Sequence, residues 1–433
     1  METIGLPTPS RGYIRRVLDA ELDDLIGSLS AISIEGPKGV GKTATASRRA
    51  QTRFDLDNAS THEVIQADPG RLLLGATPIL IDEWQRLPTS WDLVRRAVDA
   101  DGRPGRFLLT GSTSPASPGT HTGAGRIVTL QMRPMTLAER GVAPTAVSLA
   151  DLLTGRRGVV EGSTTIGLER YAQEIVRGGF PGMRADGARA QRALLDGYLR
   201  RIIDRDVPEA GREVRNPAAL RGWLEAYAAA ASTAASYETI RNAATPGQVD
   251  KPAKTTTGPY RDVLTRLWIV DPIGAWTPTG NHLAKLNGAP KHHLADPALA
   301  ARLLGVGVDG LLAGEPGGPR VPRDGTLLGA LFESLVTLDV RVYAQAAEAQ
   351  VRHLRTKGGE HEVDLIVTRD DQRVLALEVK LSATVSDVDV RQLRWLADRL
   401  GPDLLDAAVI TTGTDAYRRK DGIAVVPAAL LGP

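Results

Sequence analysis

Short apolar runs alternate with amphipathic stretches along the first third of the chain. The apolar runs cover residues 29–35, 78–81, 106–109 and 127–130, and stretches with helical spacing lie between them. Strands that alternate with helices are typical of a parallel sheet covered by helices. The pattern therefore predicts an α/β fold with a parallel sheet in this part of the chain.

The later parts of the chain change character several times. Residues 150–230 have a helical pattern that is broken at residues 178–182 (GGFPG), and residues 305–325 are rich in Gly and Pro. A helix and several strand-like runs follow. The predicted segments are an α/β core (1–145), a helical lid or connector (146–230), a small helical unit (231–305), a linker (306–326) and a C-terminal α/β domain (327–433).

Composition excludes several classes of protein. The 433 residues include no Cys, which excludes disulfides, thiol nucleophiles and zinc sites built on Cys. No apolar run is long enough to span a membrane, and the first residues lack the apolar core of a secretory signal, so we expect a cytoplasmic protein. The net charge of +2 neither requires nor excludes a nucleic-acid partner.

A phosphate-binding motif follows the first predicted strand. The sequence GPKGVGKT at residues 36–43 matches the pattern G-x-x-x-x-G-K-[ST] at the start of a predicted helix. Backbone N–H groups of such a loop surround phosphate oxygens, Lys42 is expected to reach the β- and γ-phosphates, and Thr43 is expected to hold Mg²⁺. The predicted ATP-binding residues of the loop are Gly36, Pro37, Lys38, Gly39, Val40, Gly41, Lys42, Thr43 and Ala44.

Polar residues at the ends of the following strands extend this site. Asp82 and Glu83 end an apolar run, so Asp82 is expected to hold the metal and Glu83 to activate the attacking water. The alternative is that the two carboxylates cap the next helix. Thr110 or Ser112, after the strand at residues 106–109, is a candidate to lie beside the γ-phosphate, and ordinary turn chemistry is the equal alternative. Arg126 is a candidate arginine finger for a neighbouring subunit, which would require an oligomer, although it can equally be a solvated surface residue.

The small unit at residues 231–305 has features of a helix-turn-helix. Ser236 is a suitable N-cap for a short helix, and a second helical stretch at residues 260–267 is followed by a wing-like stretch at 268–276. Lys251, Lys254, Arg261 and Arg266 are candidates for phosphate contacts, and polar side chains at the helix start are candidates to enter a groove. Basic residues are sparse here, so DNA binding and a purely structural role both remain open.

A second group of chemically active residues lies near the C-terminus. Asp364 and Glu378 are expected on adjacent antiparallel strands, and Lys380 shares a face with Glu378 because the two are two residues apart. Carboxylate oxygens suit Mg²⁺ or Mn²⁺, and a neighbouring lysine can position the attacking water. Glu333, in the preceding helix, is a candidate third metal ligand.

These motifs resemble two known families. The run from Tyr13 through GPKGVGKT, PILIDEWQRLP, RFLLTGS, GR and RPMTLAE, with the later GGFPGM and KHHLADPAL, resembles prokaryotic AAA-type ATPases that carry a C-terminal domain of unknown function. Members usually have Arg where this chain has Lys38. The C-terminal pattern, with Gln392 in the last helix, resembles the PD-(D/E)xK nuclease superfamily. The resemblance implies an ATPase core, a helical lid, a winged-helix segment and a nuclease-like end.

The sequence therefore predicts an ATP-hydrolysing enzyme that acts on DNA in repair, recombination or defence. ATP, Mg²⁺ and DNA are the expected ligands, Mn²⁺ is an alternative ion at the C-terminal site, and the chain is expected to form a homo-oligomer. One alternative is an ATP-driven remodeller of branched DNA whose nuclease fold does not cleave. Another is a nucleotide-dependent switch or scaffold.

Overall fold

The chain forms two compact units in a computed structural model. The first unit consists of Met1–Ile34, Gly41–Gly111 and Ala116–Leu130, and the second of Glu35–Val40, Ser112–Pro115 and Gln131–Pro433. The structure describes residues 12–113, 124–185, 187–211, 214, 216–244, 254–277, 288–313, 325–356 and 358–433.

The first unit is built on a five-stranded sheet with the strand order β2-β3-β4-β1-β5. Strands β2, β3 and β4 run parallel, as the alternation of strands and helices predicted. The strands of this sheet are β1 (Ala31–Glu35), β2 (Thr52–Asp55), β3 (Ile79–Asp82), β4 (Phe107–Gly111) and β5 (Val128–Gln131). Its helices are α1 (Leu18–Ile26), α2 (Lys42–Ser47), α3 (Ala59–Ala67) and α4 (Thr89–Ala100).

Apolar strands and two tryptophans form the core of this unit. Every residue of β1, β3 and β4 is buried, which explains why these strands are apolar runs in the sequence. Trp84 and Trp91 lie in the same core with ring centroids 4.7 Å apart. Strand β2 was not predicted, because its sequence TRFD is mostly polar and only partly buried.

The second unit contains a group of helices and a large sheet. Its helices are α5 (Leu149–Leu153), α6 (Leu168–Arg177), α7 (Ala188–Arg201), α8 (Val207–Glu209), α9 (Pro217–Ala229), α10 (Tyr237–Ala243), α11 (Lys254–Arg266), α12 (Pro297–Leu303), α13 (Val308–Leu312), α14 (Gly325–Ala346) and α15 (Arg391–Leu400). A π-helical turn, Ile202–Asp206, lies between α7 and α8. Among the helices that the structure describes, none combines the length and apolarity needed to cross a bilayer.

The sheet of the second unit has eight strands in the order β7-β13-β14-β12-β11-β10-β9-β8. Strands β9, β10 and β11 form an antiparallel meander, whereas β11, β12 and β14 run parallel. These strands are β7 (Gly162–Ser163), β8 (Ala275–Trp276), β9 (Gln350–Arg355), β10 (Glu362–Thr368), β11 (Val374–Lys380), β12 (Leu404–Thr411), β13 (Asp415–Arg418) and β14 (Ala424–Pro427). The short strands β6 (Val147–Ser148) and β15 (Leu431–Gly432) form a separate pair.

Two predicted segments look different in the structure. The wing-like stretch at residues 268–276 ends in β8, which pairs with β9 of the large sheet. Its earlier residues make isolated bridges to Lys291 and Leu294. Helix α13 lies within the stretch predicted as a linker, and residues 314–324 of that stretch lie outside the described residues.

Candidate active sites

The phosphate-binding loop has the backbone shape that its glycines predict. Gly39 has φ 83° and Gly41 has φ 105°, a region that residues with a Cβ rarely adopt. Gly41 directly precedes α2, which is a short helix of six residues. The loop therefore turns sharply into Lys42 at the first position of the helix.

Gly36 is required for a different reason, which is a close backbone approach. A Cβ atom at Gly36 would lie 2.1 Å from the carbonyl oxygen of Met132, far inside contact distance. The carbonyl oxygen of Glu35 accepts a hydrogen bond from the Met132 N–H at 2.7 Å, so the two segments are held together. Any side chain at Gly36 would force them apart.

Thr43 and Asp82 meet at the carboxyl-terminal edge of the parallel sheet. The Thr43 hydroxyl donates a hydrogen bond to Asp82 Oδ1 at 2.7 Å, and Asp82 is the last residue of β3. Lys42, next to Thr43, has only 4% of its surface exposed. Open α/β sheets bind their ligands at this edge. Mg²⁺ takes oxygen ligands of these two kinds, so the hydroxyl and the carboxylate fit such an ion.

Two further side chains hold the Asp82 carboxylate. Arg53 Nη2 lies 2.8 Å from Asp82 Oδ2, and the Thr110 hydroxyl donates to Oδ1. The Thr110 oxygen also accepts a hydrogen bond from the backbone N–H of Glu83 at 3.3 Å. Sequence reasoning missed Arg53 because it lies on β2, the strand that the sequence did not reveal.

Glu83 has an uncommon backbone conformation. Its φ of 55° and ψ of 47° lie in the left-handed region, where a residue other than Gly is uncommon and often functional. Its carboxylate accepts a hydrogen bond from Gln85 Nε2. Glu83 directly follows the last residue of β3, which is the position predicted for a water-activating group. Its role in activating water stays a prediction.

The remaining predicted ATP-site residues have varied surroundings. Lys38 Nζ lies 2.6 Å from Asp206 Oδ1, and its backbone oxygen accepts from the Tyr198 hydroxyl at 3.1 Å. Ser112 is buried in the second unit. Arg126 pairs with Asp99 at 2.7 Å, and 48% of its side chain is exposed. The predicted role of Arg126 as an arginine finger for a neighbouring subunit stays a prediction.

The helix-turn-helix prediction is tested only in part. Ser236 caps α10, because its side chain accepts a hydrogen bond from the N–H of Thr239. Arg261 is engaged within the unit, since it pairs with Asp262 at 2.9 Å and lies over the Tyr237 ring. Lys251 lies outside the described residues, as does the side chain of Lys254. DNA binding by this unit stays a prediction.

The predicted C-terminal residues come together on one hairpin. Strands β10 and β11 are antiparallel, as predicted, with Leu365 opposite Leu377. Asp364 Oδ2 accepts a hydrogen bond from the Val379 N–H at 2.9 Å. Lys380 Nζ lies 2.9 Å from Glu378 Oε1. The hairpin therefore brings both carboxylates and the lysine of the predicted motif to one place.

An unpredicted lysine lies among these carboxylates. Lys291 Nζ is 2.7 Å from Glu333 Oε1, 3.0 Å from Asp364 Oδ1 and 3.6 Å from Glu362 Oε1. Only 1% of Lys291 is exposed. We use the name carboxylate cluster for Glu333, Glu362, Asp364 and Glu378 together with Lys291 and Lys380.

Burial and mutual charge shift the pKa values in the carboxylate cluster. Burial, followed by the charge of Asp364, raises the pKa of Glu333 and that of Glu378 to about 8. Burial also acts to raise the pKa of Asp364, but Lys291, Lys380 and the Val379 N–H outweigh it and leave that pKa lowered. Burial acts to lower the pKa of Lys291, yet Asp364 and Glu333 leave it raised. Lys291 is therefore held as a cation.

A divalent ion does not fit the carboxylate cluster as the structure has it. Mg²⁺ and Mn²⁺ need several oxygens converging at about 2.0–2.6 Å. The ammonium of Lys291 instead contacts the Glu333 and Asp364 oxygens that would have to converge on the ion. Among the described residues, no group of three or more His, Asp or Glu has the arrangement of a metal site. The predicted metal ligands Glu333, Asp364 and Glu378 are thus brought together around lysines.

Lys291 is part of the KHHLADPAL stretch, but the sequence predicts no role for it. It lies 42 residues before Glu333 and 73 before Asp364, so no local spacing links them. The only available signal was a lysine next to two histidines in a buried stretch. Gln392, by contrast, contacts His361 at 2.9 Å, and the His361 ring stacks on Trp395 at 3.8 Å.

Comparison with known domain families divides the chain into three matched regions. Residues 29–140 match an AAA domain. Residues 168–309 match a domain of unknown function (DUF8612), and residues 328–431 match another domain of unknown function (DUF4143). The nuclease-like character of the C-terminal region is therefore not established by these matches.

Similar proteins are known from mycobacteria. An uncharacterized protein of Mycobacterium tuberculosis and one of Mycobacterium bovis are each 28% identical over 424 residues, which cover 96% of this chain and 83% of each relative. A solved structure, a Walker-type ATPase of Pyrococcus abyssi, is 16% identical and covers 66% of this chain and 94% of its own. Its TM-score of 0.39 is too low to establish a shared fold.

Residues 29–140 are a P-loop ATPase domain of the AAA type. The AAA match covers the phosphate-binding loop and Asp82. The parallel sheet and the contact between Thr43 and Asp82 agree with that assignment. ATP is accordingly the expected ligand of this domain, and Mg²⁺ the expected ion.

Proposed function

We propose that this chain uses ATP hydrolysis in its AAA domain, residues 29–140, to drive an action on DNA by its C-terminal domain. The contact of 2.7 Å between Thr43 and Asp82 carries the proposal, because it joins the two residues that hold Mg²⁺ in P-loop ATPases. The carboxylate cluster supports the DNA part, since its hairpin has the residue order of phosphodiester-cutting enzymes.

Each residue of the ATP site has a distinct task in this proposal. Lys42 neutralises charge on the β- and γ-phosphates, and Thr43 and Asp82 hold Mg²⁺, which when bound neutralises further phosphate charge. Glu83 orients the attacking water and accepts its proton. Arg53 and Thr110 hold the Asp82 carboxylate in place through their contacts with its two oxygens.

An action on DNA without cleavage is the form that the contacts favour. Lys291 contacts both Glu333 and Asp364, two of the three predicted metal ligands. A domain whose carboxylate cluster holds its own cation can keep the fold of a nuclease and bind DNA without cleaving it. The ATPase then supplies the energy for moving along or remodelling DNA.

Cleavage is the second candidate, and one contact favours it. Lys380 Nζ lies 2.9 Å from Glu378 Oε1 on the same strand, as the lysine of a cutting site would. In that case Lys380→Ala abolishes cleavage of DNA incubated with Mg²⁺ or Mn²⁺. If the chain acts on DNA without cleaving it, DNA remains intact with either ion. ATP-driven movement of DNA strands then survives Lys380→Ala.

The proposal is tested by measuring ATP turnover with and without DNA. Linear, forked and four-way DNA are each added to the wild type, to Lys42→Ala and to Lys420→Ala, an exposed lysine of the second unit that serves as a matched control. We expect DNA to raise turnover in the wild type and in the control, and Lys42→Ala to abolish turnover. Turnover that no DNA changes, together with no DNA binding, contradicts the proposal and favours a nucleotide-dependent switch.

A further inference from the structure

The buried charge of Lys291 is compensated in an unusual way. An ammonium group taken out of water is costly unless it is paired and hydrogen-bonded. Lys291 is 1% exposed and has carboxylate oxygens at 2.7, 3.0 and 3.6 Å from Nζ. These oxygens belong to Glu333 on α14 and to Asp364 and Glu362 on β10. One lysine therefore links the helix to the sheet at the place predicted for a metal.

The backbone of Lys291 is fixed, so its side chain enters the cluster from an anchored position. Its N–H donates to the Ile273 oxygen at 2.9 Å, and its own oxygen accepts from the Ile273 N–H at 3.0 Å. The next residue, His292, donates its N–H to the Thr233 oxygen at 2.9 Å, and its Nε2 lies 2.7 Å from the Ala235 oxygen. His293 Nδ1 lies 3.2 Å from Ser334 Oγ, beside Glu333 on α14. These contacts hold the segment on both sides of the ammonium.

The oxygens that a divalent ion between Glu333 and Asp364 would use are already engaged, whereas Glu378 Oε2 is buried without a hydrogen-bond partner. Glu333 Oε1 and Asp364 Oδ1 both contact the Lys291 ammonium. Asp364 Oδ2 accepts from the Val379 N–H, and Glu378 Oε1 accepts from Lys380. An ion at about 2.0–2.6 Å from Glu333 and Asp364 would overlap the space of Lys291 Nζ.

We propose that the ammonium of Lys291 is the resident cation of the carboxylate cluster and takes the place of a divalent metal between Glu333 and Asp364. The C-terminal domain therefore binds no Mg²⁺ or Mn²⁺ between these two carboxylates. This inference concerns the same cluster as the proposed function, but it does not depend on DNA or ATP.

Manganese binding by the full chain tests the inference without nucleotide or DNA. Mn²⁺ is titrated into the wild type, Asp364→Asn, Lys291→Ala and the double variant Lys291→Ala/Asp364→Asn, and bound ion is counted by electron paramagnetic resonance. Any ion held at Thr43 and Asp82 is common to all four proteins. We expect wild type and Asp364→Asn to bind the same amount. We expect Lys291→Ala to gain one site, at least about tenfold tighter than any other binding, that the double variant loses.

Two results would overturn the inference. The first is a Mn²⁺ site in the wild type that Asp364→Asn removes, because the ion would then displace Lys291. The comparison of these two proteins stands even if Lys291→Ala fails to fold. The second is a folded Lys291→Ala protein, verified by circular dichroism, that gains no site. Lys380→Ala is the matched control, because it also removes a positive charge from the cluster and is expected to gain no site.

These results are independent of the outcome for DNA. If DNA leaves ATP turnover unchanged but Mn²⁺ behaves as expected, the proposed function fails and the assignment of Lys291 stands. If the wild type has a site that depends on Asp364 and DNA stimulates turnover, the assignment fails and the proposed function stands.

Discussion

The hydroxyl of Thr43 donates a hydrogen bond to Asp82 Oδ1 at 2.7 Å. This contact joins the first turn of α2 to the last residue of β3, and the two residues are separated by 39 positions in the chain. Substitutions of Thr43 that change only its hydroxyl or its methyl group therefore test this contact directly.

Replacing Thr43 by Val is expected to remove one oxygen ligand of Mg²⁺ while keeping the shape of the side chain. ATP turnover should fall by about 10–10³-fold, a loss typical for removal of one polar group that stabilises transition-state charge. Thr43→Ser keeps the hydroxyl and should retain most of the turnover. Steady-state phosphate release at several Mg²⁺ concentrations measures both, and equal losses in Val and Ser variants would contradict the role of the hydroxyl.

Arg126 is expected to act on the ATP site of a neighbouring subunit. Its pair with Asp99 is exposed on both sides, and exposed ion pairs add little to stability, so the side chain can be released at little cost. Arg126→Ala should lower kcat by about 10³-fold or more, as loss of an arginine finger does. Arg96→Ala, an exposed arginine on α4, should leave kcat unchanged.

Mixing two inactive variants tests whether Arg126 acts between subunits. Arg126→Ala retains an intact phosphate-binding loop, and Lys42→Ala retains an intact arginine. A mixed oligomer therefore contains some complete sites. ATP turnover should reappear in the mixture and increase with the fraction of oligomers that contain both variants. If the mixture stays as inactive as its components, Arg126 does not complete a neighbour's site.

The first unit shows which parts of the fold the sequence reveals. The buried strands β1, β3 and β4 are mostly apolar, and each ends next to a residue of the predicted ATP site. Local sequence is enough for such strands because burial on both faces selects apolar residues throughout. Strand β2 was missed because an edge strand with exposed positions keeps polar residues, and Arg53 was missed with it.

The C-terminal site shows what local sequence does not reveal. The order of Asp364, Glu378 and Lys380 predicted a hairpin, because residues close in sequence meet across a short turn. Lys291 reaches the same cluster from a separate segment, held by its backbone pairing with Ile273. Only the packed fold brings this lysine to Glu333 and Asp364, so a metal site was predicted where the structure has an ammonium.

The pKa of Glu378 predicts a dependence of stability on pH. Burial and the charge of Asp364 raise this pKa from 4.5 to about 8, so the folded chain retains a proton that the unfolded chain releases. The free energy of unfolding therefore falls as pH rises from about 4.5 through about 8, by at most about 1.4 kcal/mol per pH unit for one proton. Below this window Glu378 is protonated in both states and contributes no dependence.

Glu378→Gln removes this titration because its side chain is neutral at every pH. Urea unfolding at pH 5, 6, 7 and 8 should show a smaller decline for Glu378→Gln than for the wild type, since Glu333 titrates in both proteins. Glu360→Gln, an exposed position before β10, is the matched control and should follow the wild type. Parallel declines in wild type and Glu378→Gln would contradict the raised pKa.

Steady-state ATP hydrolysis by the wild type and by Lys42→Ala, with Mg²⁺ present, tests most directly whether the AAA domain at residues 29–140 is a working ATPase. The buried ammonium of Lys42 follows the loop glycines directly, so its loss should lower phosphate release by at least about 10²-fold while Lys420→Ala retains the wild-type rate. Folded wild-type protein that releases no phosphate, or a Lys42→Ala variant as active as the wild type, would contradict the account.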